Sequence, residues 1–190
     1  MPKFRVYLSA SVGGYIAEAD GSVAWLDAFE SEGSEDAKNL GNTSDENPYG
    51  YAPFYETIST LVFGRTTFDQ VLSFEVSCPY AGKQTLVMTH RDPPDVSIDG
   101  VSFVSGSAED IATGLEGSKG NVWLIGGADV IGQFLDAGRV GSIEIFAMPV
   151  LLGGGIPSFP RDRSGPGPAL ELSGSTSFDS GVVGLLCTAK

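Results

Sequence analysis

The sequence predicts an α/β domain in three layers, a mostly parallel mixed sheet with helices on both faces and an antiparallel hairpin at its C-terminal end. Three observations carry this. From residue 61 to residue 148, short runs rich in branched and aromatic residues alternate with runs whose apolar residues recur at helical spacing. At two places a strand-like run passes through glycine into a helical run with no room for a loop, in VFGRTT (62–67) and in LIGGADV (124–130). Near the C-terminus, strand-like runs over 169–178 and 182–188 flank the turn residues Asp179, Ser180 and Gly181.

Taken in order, residues 3–9 read as the first strand. Residues 25–29 begin a short helix that an acidic stretch interrupts, and residues 53–60 form a second helix carrying Phe54, Tyr55 and Ile58. Strand follows over 61–63, helix over 67–73, then strands over 85–89 and 101–104. A helix over 108–116 precedes a strand over 122–125, whose branched and aromatic content suits a buried position. The helix over 128–137 places Val130, Ile131, Phe134 and Leu135 at helical spacing, and a strand over 142–148 leads toward the hairpin. That hairpin closes a parallel sheet with an antiparallel edge. Two long connections remain. Residues 30–47 crowd acidic side chains around a single lysine and read as a solvated loop. Residues 151–168, LLGGGIPSFPRDRSGPGP, read as a glycine- and proline-rich surface loop.

With 190 residues and 42% hydrophobic content, the chain has length for one substantial core, so residues 1–190 read as a single domain. Its opening apolar alternation is too short for a signal peptide, and no run reaches the length of a membrane span, which predicts a cytoplasmic protein without a membrane partner. A net charge of −13 argues against nucleic acid, because phosphate neutralisation needs clustered Lys and Arg. An excess of acid with only five lysines also fits a salt-tolerant surface. Cys78 and Cys187 lack metal-ligand spacing and His90 is the single histidine, so a Cys/His zinc site is excluded and no metal is expected. Both cysteines read as buried or half-buried thiols.

The glycine junctions carry the ligand chemistry. Gly126 and Gly127 permit backbone amides to approach a ligand that side chains would hold away, and the first amides of a helix have no internal partners. A diphosphate suits that geometry; a tight turn with close packing accounts for the same pair without a ligand. The fingerprint G-x-G-x-x-G is absent, since Ala128 and Asp129 follow. At the other junction, Gly64 is followed by Arg65, Thr66 and Thr67. Thr66 reads equally as a plain N-cap, whereas a cation at a helix start opposes the helix dipole and calls for a nearby anion. Thr89, His90 and Arg91 end a third strand and offer donors to a phosphate monoester. Donors at three strand ends form the pattern of a ligand laid across the carboxyl edge of an open sheet.

Over nearly its whole length the chain resembles the dihydrofolate reductase family, in the branch that includes the C-terminal reductase domain of bacterial riboflavin biosynthesis proteins. The matching segments are SVGGYIAEADGSVAWL, YGYAPFYETISTLVFGRTTFD, YAGKQTLVMTHR and NVWLIGGADVIGQFLDAGRVGSIEIFAMPVLLGGGIPSF, in the family's order and spacing. The resemblance implies a three-layer dihydrofolate reductase-like fold, NADPH as cofactor and hydride transfer to a C=N or C=O bond of a small-molecule substrate. By family position Gly64, Arg65, Thr66 and Thr67 would grip the phosphates, including the 2′-phosphate. Thr89, His90 and Arg91 would meet the adenosine end, and Gly126, Gly127, Ala128, Asp129 and Val130 the diphosphate. Ala10, Ile16 and Ala17 would flank the nicotinamide, under a mobile loop over 13–22.

Two departures from the family pattern bear on the substrate. Pro48 stands where the related branch has an aspartate before YGY, so Asp45 and Glu46 become the candidate acids, with Tyr51 as an alternative donor. Lys83 stands where folate-reducing members place an arginine, a point charge in place of a two-pronged match to carboxylate. Trp25, Tyr49 and Tyr55 join Lys83 as candidate substrate contacts, offering ring faces and polar edges to a flat heterocycle. Substrates in view are a pterin, a related heterocycle or a ribosylamino-pyrimidine-like compound. A nucleotide-binding protein that has lost catalysis is the alternative. A homodimer is also implied, with VVGLLCTA contributing to an apolar interface.

Overall fold

Alternating burial along FRVYLSAS sets the first strand into the middle of a sheet, with Phe4 and Val6 buried on one face and Arg5 and Tyr7 on the other. The computed structural model describes residues 1–29, 48–73, 80, 82–92, 98–161 and 167–189. In chain order its strands are β1 (Phe4–Ser11), β2 (Tyr15–Ala17), β3 (Ile58–Gly64), β4 (Gln84–Met88), β5 (Val101–Val104), β6 (Asn121–Gly126), β7 (Val140–Met148), β8 (Ile156–Pro157), β9 (Leu170–Ser177) and β10 (Val183–Ala189). The helices are α1 (Tyr51–Glu56), α2 (Arg65–Ser73), α3 (Ala108–Gly114) and α4 (Ala128–Asp136), with 3-10 turns at Ala24–Phe29 and Pro48–Gly50.

Eight strands share one sheet in the order β5-β4-β3-β6-β1-β7-β10-β9. All neighbours from β5 to β7 pair in parallel, while β10 runs antiparallel to both β7 and β9. The predicted α/β class and its antiparallel C-terminal hairpin are both present. Helices cover both faces. On one, Ile111 of α3 and Val130, Ile131 and Phe134 of α4 pack on Val6, Val62, Leu124 and Ile143. On the other, Phe54 of α1 and Phe68 of α2 pack on Leu61, Phe63, Val87 and Trp123. A third cluster of Phe146, Met148, Phe178 and Val182 gathers Trp25, Phe29 and Tyr49.

Several boundaries differ from the sequence reading. The helix expected over 53–60 stops at Glu56, where the Thr57 hydroxyl and amide both donate to the Phe54 carbonyl, at 2.7 and 3.1 Å. Ile58 and Thr60 then enter β3 and are buried there, because branched side chains fit the pleated ladder between β4 and β6 better than another helical turn. Helix α2 begins at Arg65, so Thr66 lies inside the first turn and is not its N-cap. The loop over 151–168 contributes β8, antiparallel to β2, a pair too short to leave a periodic signal. Residues 30–47, with Asp45 and Glu46, lie outside the described residues, as does Cys78. Cys187 is a buried free thiol on β10. No described helix is long and apolar enough to cross a membrane.

Candidate cofactor and substrate site

Parallel pairing brings three loops together. Gly64 at the end of β3 lies opposite Met88 at the end of β4, and Phe63 lies opposite Gly126 at the end of β6. The segments that follow therefore leave the sheet at one edge. They line a single cleft of about 660 Å³, with Gly64, Arg65, Thr66 and Thr67 from the first, Thr89, His90 and Arg91 from the second, and Gly127, Ala128, Asp129 and Val130 from the third. Ile16 and Ala17 of β2 join the lining. Ala10 is buried on β1, and Gly126 sits one residue before the lining; neither is itself on the cleft surface.

Close approach explains the glycines. Gly126 has a φ of +124°, a conformation that side-chain-bearing residues rarely adopt, and its peptide to Gly127 is cis. A Cβ on Gly64 would stand 3.1 Å from Val130 Cγ2 and 3.5 Å from the Gly127 nitrogen. One on Gly127 would stand 3.2 Å from Thr67 Oγ1. The starts of α2 and α4 thus meet across bare backbone. Gly127 precedes helix α4 as its N-cap residue without a side-chain cap; the Val130 amide donates to the Gly127 carbonyl at 3.0 Å, which leaves the amides of Ala128 and Asp129 for another acceptor. Helix α3, by contrast, carries a full capping box from Ser107 and Asp110.

The anion required beside Arg65 is partly internal. Its Nε donates to both carboxylate oxygens of Asp69, at 2.8 and 2.9 Å, and its guanidinium lies 5.3 Å from the centre of the Phe103 ring. Thr89 accepts the Arg91 amide at 3.0 Å, which turns His90 and Arg91 outward as exposed side chains at the cleft. The segment over 13–22, expected as a mobile loop, is tied down at several points. The Ser158 amide and hydroxyl donate to the Gly14 carbonyl at 3.0 Å, and Arg161 donates to the Tyr15 hydroxyl and the Gly13 carbonyl at 3.0 and 2.9 Å. Gln70 reaches Gly21 from α2.

The aromatic candidates do not form one pocket. Trp25 and Tyr49 pack in the third core cluster, with the Tyr49 ring 5.4 Å from Phe146 and 4.9 Å from Phe178. The Tyr49 hydroxyl donates to the Phe29 carbonyl at 2.9 Å, and its backbone takes a φ of +61°. Trp25 keeps a buried indole N–H with no acceptor among the described residues. Tyr51 and Tyr55 stack on each other in the second cluster, 5.5 Å between ring centres. Burial, and then the neighbouring Tyr55, push the Tyr51 phenol up to about 12. Lys83 is engaged within the fold. Its ammonium donates to the carbonyls of Tyr55 and Ile58, at 3.1 and 2.6 Å, and sits 4.3 Å above the Tyr55 ring. It closes the end of α1, where acceptors are left over, and is not held out toward a substrate carboxylate. None of these five side chains lines the cleft.

The RibD C-terminal domain family matches residues 83–184, more than half of the chain. The chain belongs to this family. The uncharacterized protein YwjB of Bacillus subtilis (strain 168) is 34% identical over 181 residues, which span 95% of this chain and 94% of YwjB. A protein from Shewanella sp. PV-4 named for riboflavin biosynthesis superposes with a TM-score of 0.79 at 27% identity, covering 99% of each chain. Dihydrofolate reductase from Enterococcus faecalis, solved with NADP(H), shares the fold at a TM-score of 0.62 and 17% identity, over 99% of this chain and 96% of its own.

The cleft also takes in residues outside those that the sequence singles out. Gln70 and Gln133 line it one helical turn beyond Thr66 and Asp129, a spacing of four that was open to detection. Ile156 and Pro157 line it from β8, and no local pattern marks them.

Proposed function

We propose that this RibD C-terminal domain is an NADPH-dependent reductase that transfers hydride to a C=N or C=O bond of a pterin, a related heterocycle or a ribosylamino-pyrimidine-like small molecule. The observation that carries this reading is the convergence of the ends of β3, β4 and β6 on one cleft, which Arg65 and the uncapped start of α4 both line. Gly126 to Val130 would hold the diphosphate against backbone amides, Gly64 to Thr67 the phosphates including the 2′-phosphate, and Thr89, His90 and Arg91 the adenosine end. Ala10, Ile16 and Ala17 would flank the nicotinamide. When bound, the coenzyme supplies the hydride; the chain's work is alignment and exclusion of water. The bonds from Ser158, Arg161 and Gln70 hold the segment over 13–22, whose Ile16 and Ala17 line the cleft, and so would serve that exclusion.

Proton delivery would fall to Asp45 or Glu46, or to Tyr51, although the Tyr51 ring packs in the second cluster and does not line the cleft. Burial pushes the Tyr51 phenol up to about 12, so it is a weaker acid than a free phenol and the poorer candidate for giving up a proton. Pro48 at the family's acid position favours a second reading, a nucleotide-binding protein that has lost catalysis. Calorimetric titration with NADPH and NADH, followed by coenzyme oxidation assays with dihydrofolate, pterins and aldehydes, separates the two. The reductase reading expects tighter binding of NADPH and turnover on the panel. Binding without any turnover supports the second reading, and no heat with either coenzyme removes both.

A further inference from the structure

Arg65 stands where local helix energetics do not want it. A cation at the first position of a helix opposes the dipole, and an acid four residues after a base is the less favourable order for such a pair. The pair is also partly exposed, with 21% of the Arg65 side chain and 43% of the Asp69 side chain open to solvent, and exposed pairs add little to stability. Its geometry is nevertheless specific. Both Asp69 oxygens engage Nε alone, and the guanidinium carbon stands 5.3 Å over the centre of the Phe103 ring on β5. The Nη hydrogens have no acceptor among the described residues, and Arg65 lines the cleft.

We infer that Asp69 and Phe103 form a bracket that presets the Arg65 guanidinium for a phosphate monoester, and that this bracket sets the preference for a 2′-phosphorylated coenzyme. The inference rests on the dinucleotide reading of the cleft and names positioning residues for it. A guanidinium held through Nε and set over an aromatic ring keeps its Nη donors for hydrogen bonds to phosphate, with less side-chain freedom left to lose on binding. Asp69 carries a charge of the wrong sign for a phosphate site, so its value there lies in orientation.

The test compares wild type with Asp69→Ala, Asp69→Asn and Phe103→Leu by calorimetry, using NADPH, NADH, adenosine 2′-monophosphate and adenosine 5′-monophosphate. Asp69→Ala should weaken NADPH and the 2′-monophosphate by about five- to tenfold and leave NADH and the 5′-monophosphate unchanged. Asp69→Asn, which keeps an acceptor for Nε, should lose less, and Phe103→Leu should shift the same two ligands. A structural readout runs alongside: the Arg65 Nε–H resonance should be protected from solvent exchange in wild type and lose that protection in Asp69→Ala. Unchanged or tighter NADPH binding by Asp69→Ala overturns the bracket alone. Wild-type binding without preference for the 2′-phosphate overturns the role given to Arg65, and the bracket with it.

Discussion

At Gly126 a single torsion connects sequence to site. Its φ of +124° suits glycine and strains other residues, and it sets the turn from β6 into the start of α4. Gly126→Ala should cost about 1–3 kcal/mol of stability, the range for a residue held in such a region, and should abolish coenzyme binding by shifting the α4 amides. Urea unfolding and calorimetry on the same protein check the two parts. The need for glycine here was legible, because backbone freedom is a property of one residue. Lys83 was not legible in the same way. A lysine in sequence is a cation without an address, and only the fold placed its ammonium on the carbonyls of Tyr55 and Ile58.

Among the elements, α3 and α4 show two ways to begin a helix. Ser107 accepts the Asp110 amide at 3.1 Å, and the Asp110 carboxylate accepts the Ser107 amide and hydroxyl at 3.1 and 2.6 Å. Those bonds hold the Asp110 carboxyl below its ordinary range, and a hydrogen bond from Arg139 does the same for Glu109. A carboxyl lowered in the folded state stabilises above its unfolded pKa, and that contribution disappears as pH falls through the folded value. Ser107→Ala removes the hydroxyl from both of its bonds in this cap and should lower stability at neutral pH. Its gap from wild type should narrow as acid protonates Asp110, as urea midpoints across a pH series would show. Helix α4 has no such cap, because the glycine at its N-cap carries no side chain to accept from the first amides. The misplaced boundary near residue 57 also belongs to this scale. Apolar residues such as Phe54 and Ile58 satisfy a helical period, yet burial of Ile58, Thr60 and Leu61 between β4 and β6 outweighs it.

For the whole molecule, the sheet and its two covering layers hold the cleft in shape. Phe134 of α4 has no exposed surface, and its ring lies 5.2 Å from that of Phe4 on β1, so it joins the helix that frames the cleft to the central strand. Phe134→Ala should remove about 3–5 kcal/mol of stability through lost burial and the cavity left behind. A large drop in the thermal midpoint, together with weaker coenzyme binding, would mark that coupling; a small drop would show that the layer collapses readily onto the gap.

The sequence alone determined the α/β class, the antiparallel ending and the glycine junctions at residues 64, 126 and 127, because period, turn chemistry and backbone freedom are written within a few neighbouring residues. Tertiary structure decided which strand ends lie side by side, and so which of the candidate donors share a cleft. It also drew Trp25 and Tyr49 into one cluster, Tyr51 and Tyr55 into another, and Ile156 and Pro157 to the cleft wall. Those outcomes follow from pairing between residues far apart in the chain, where burial of both partners sets the arrangement and no local pattern records it.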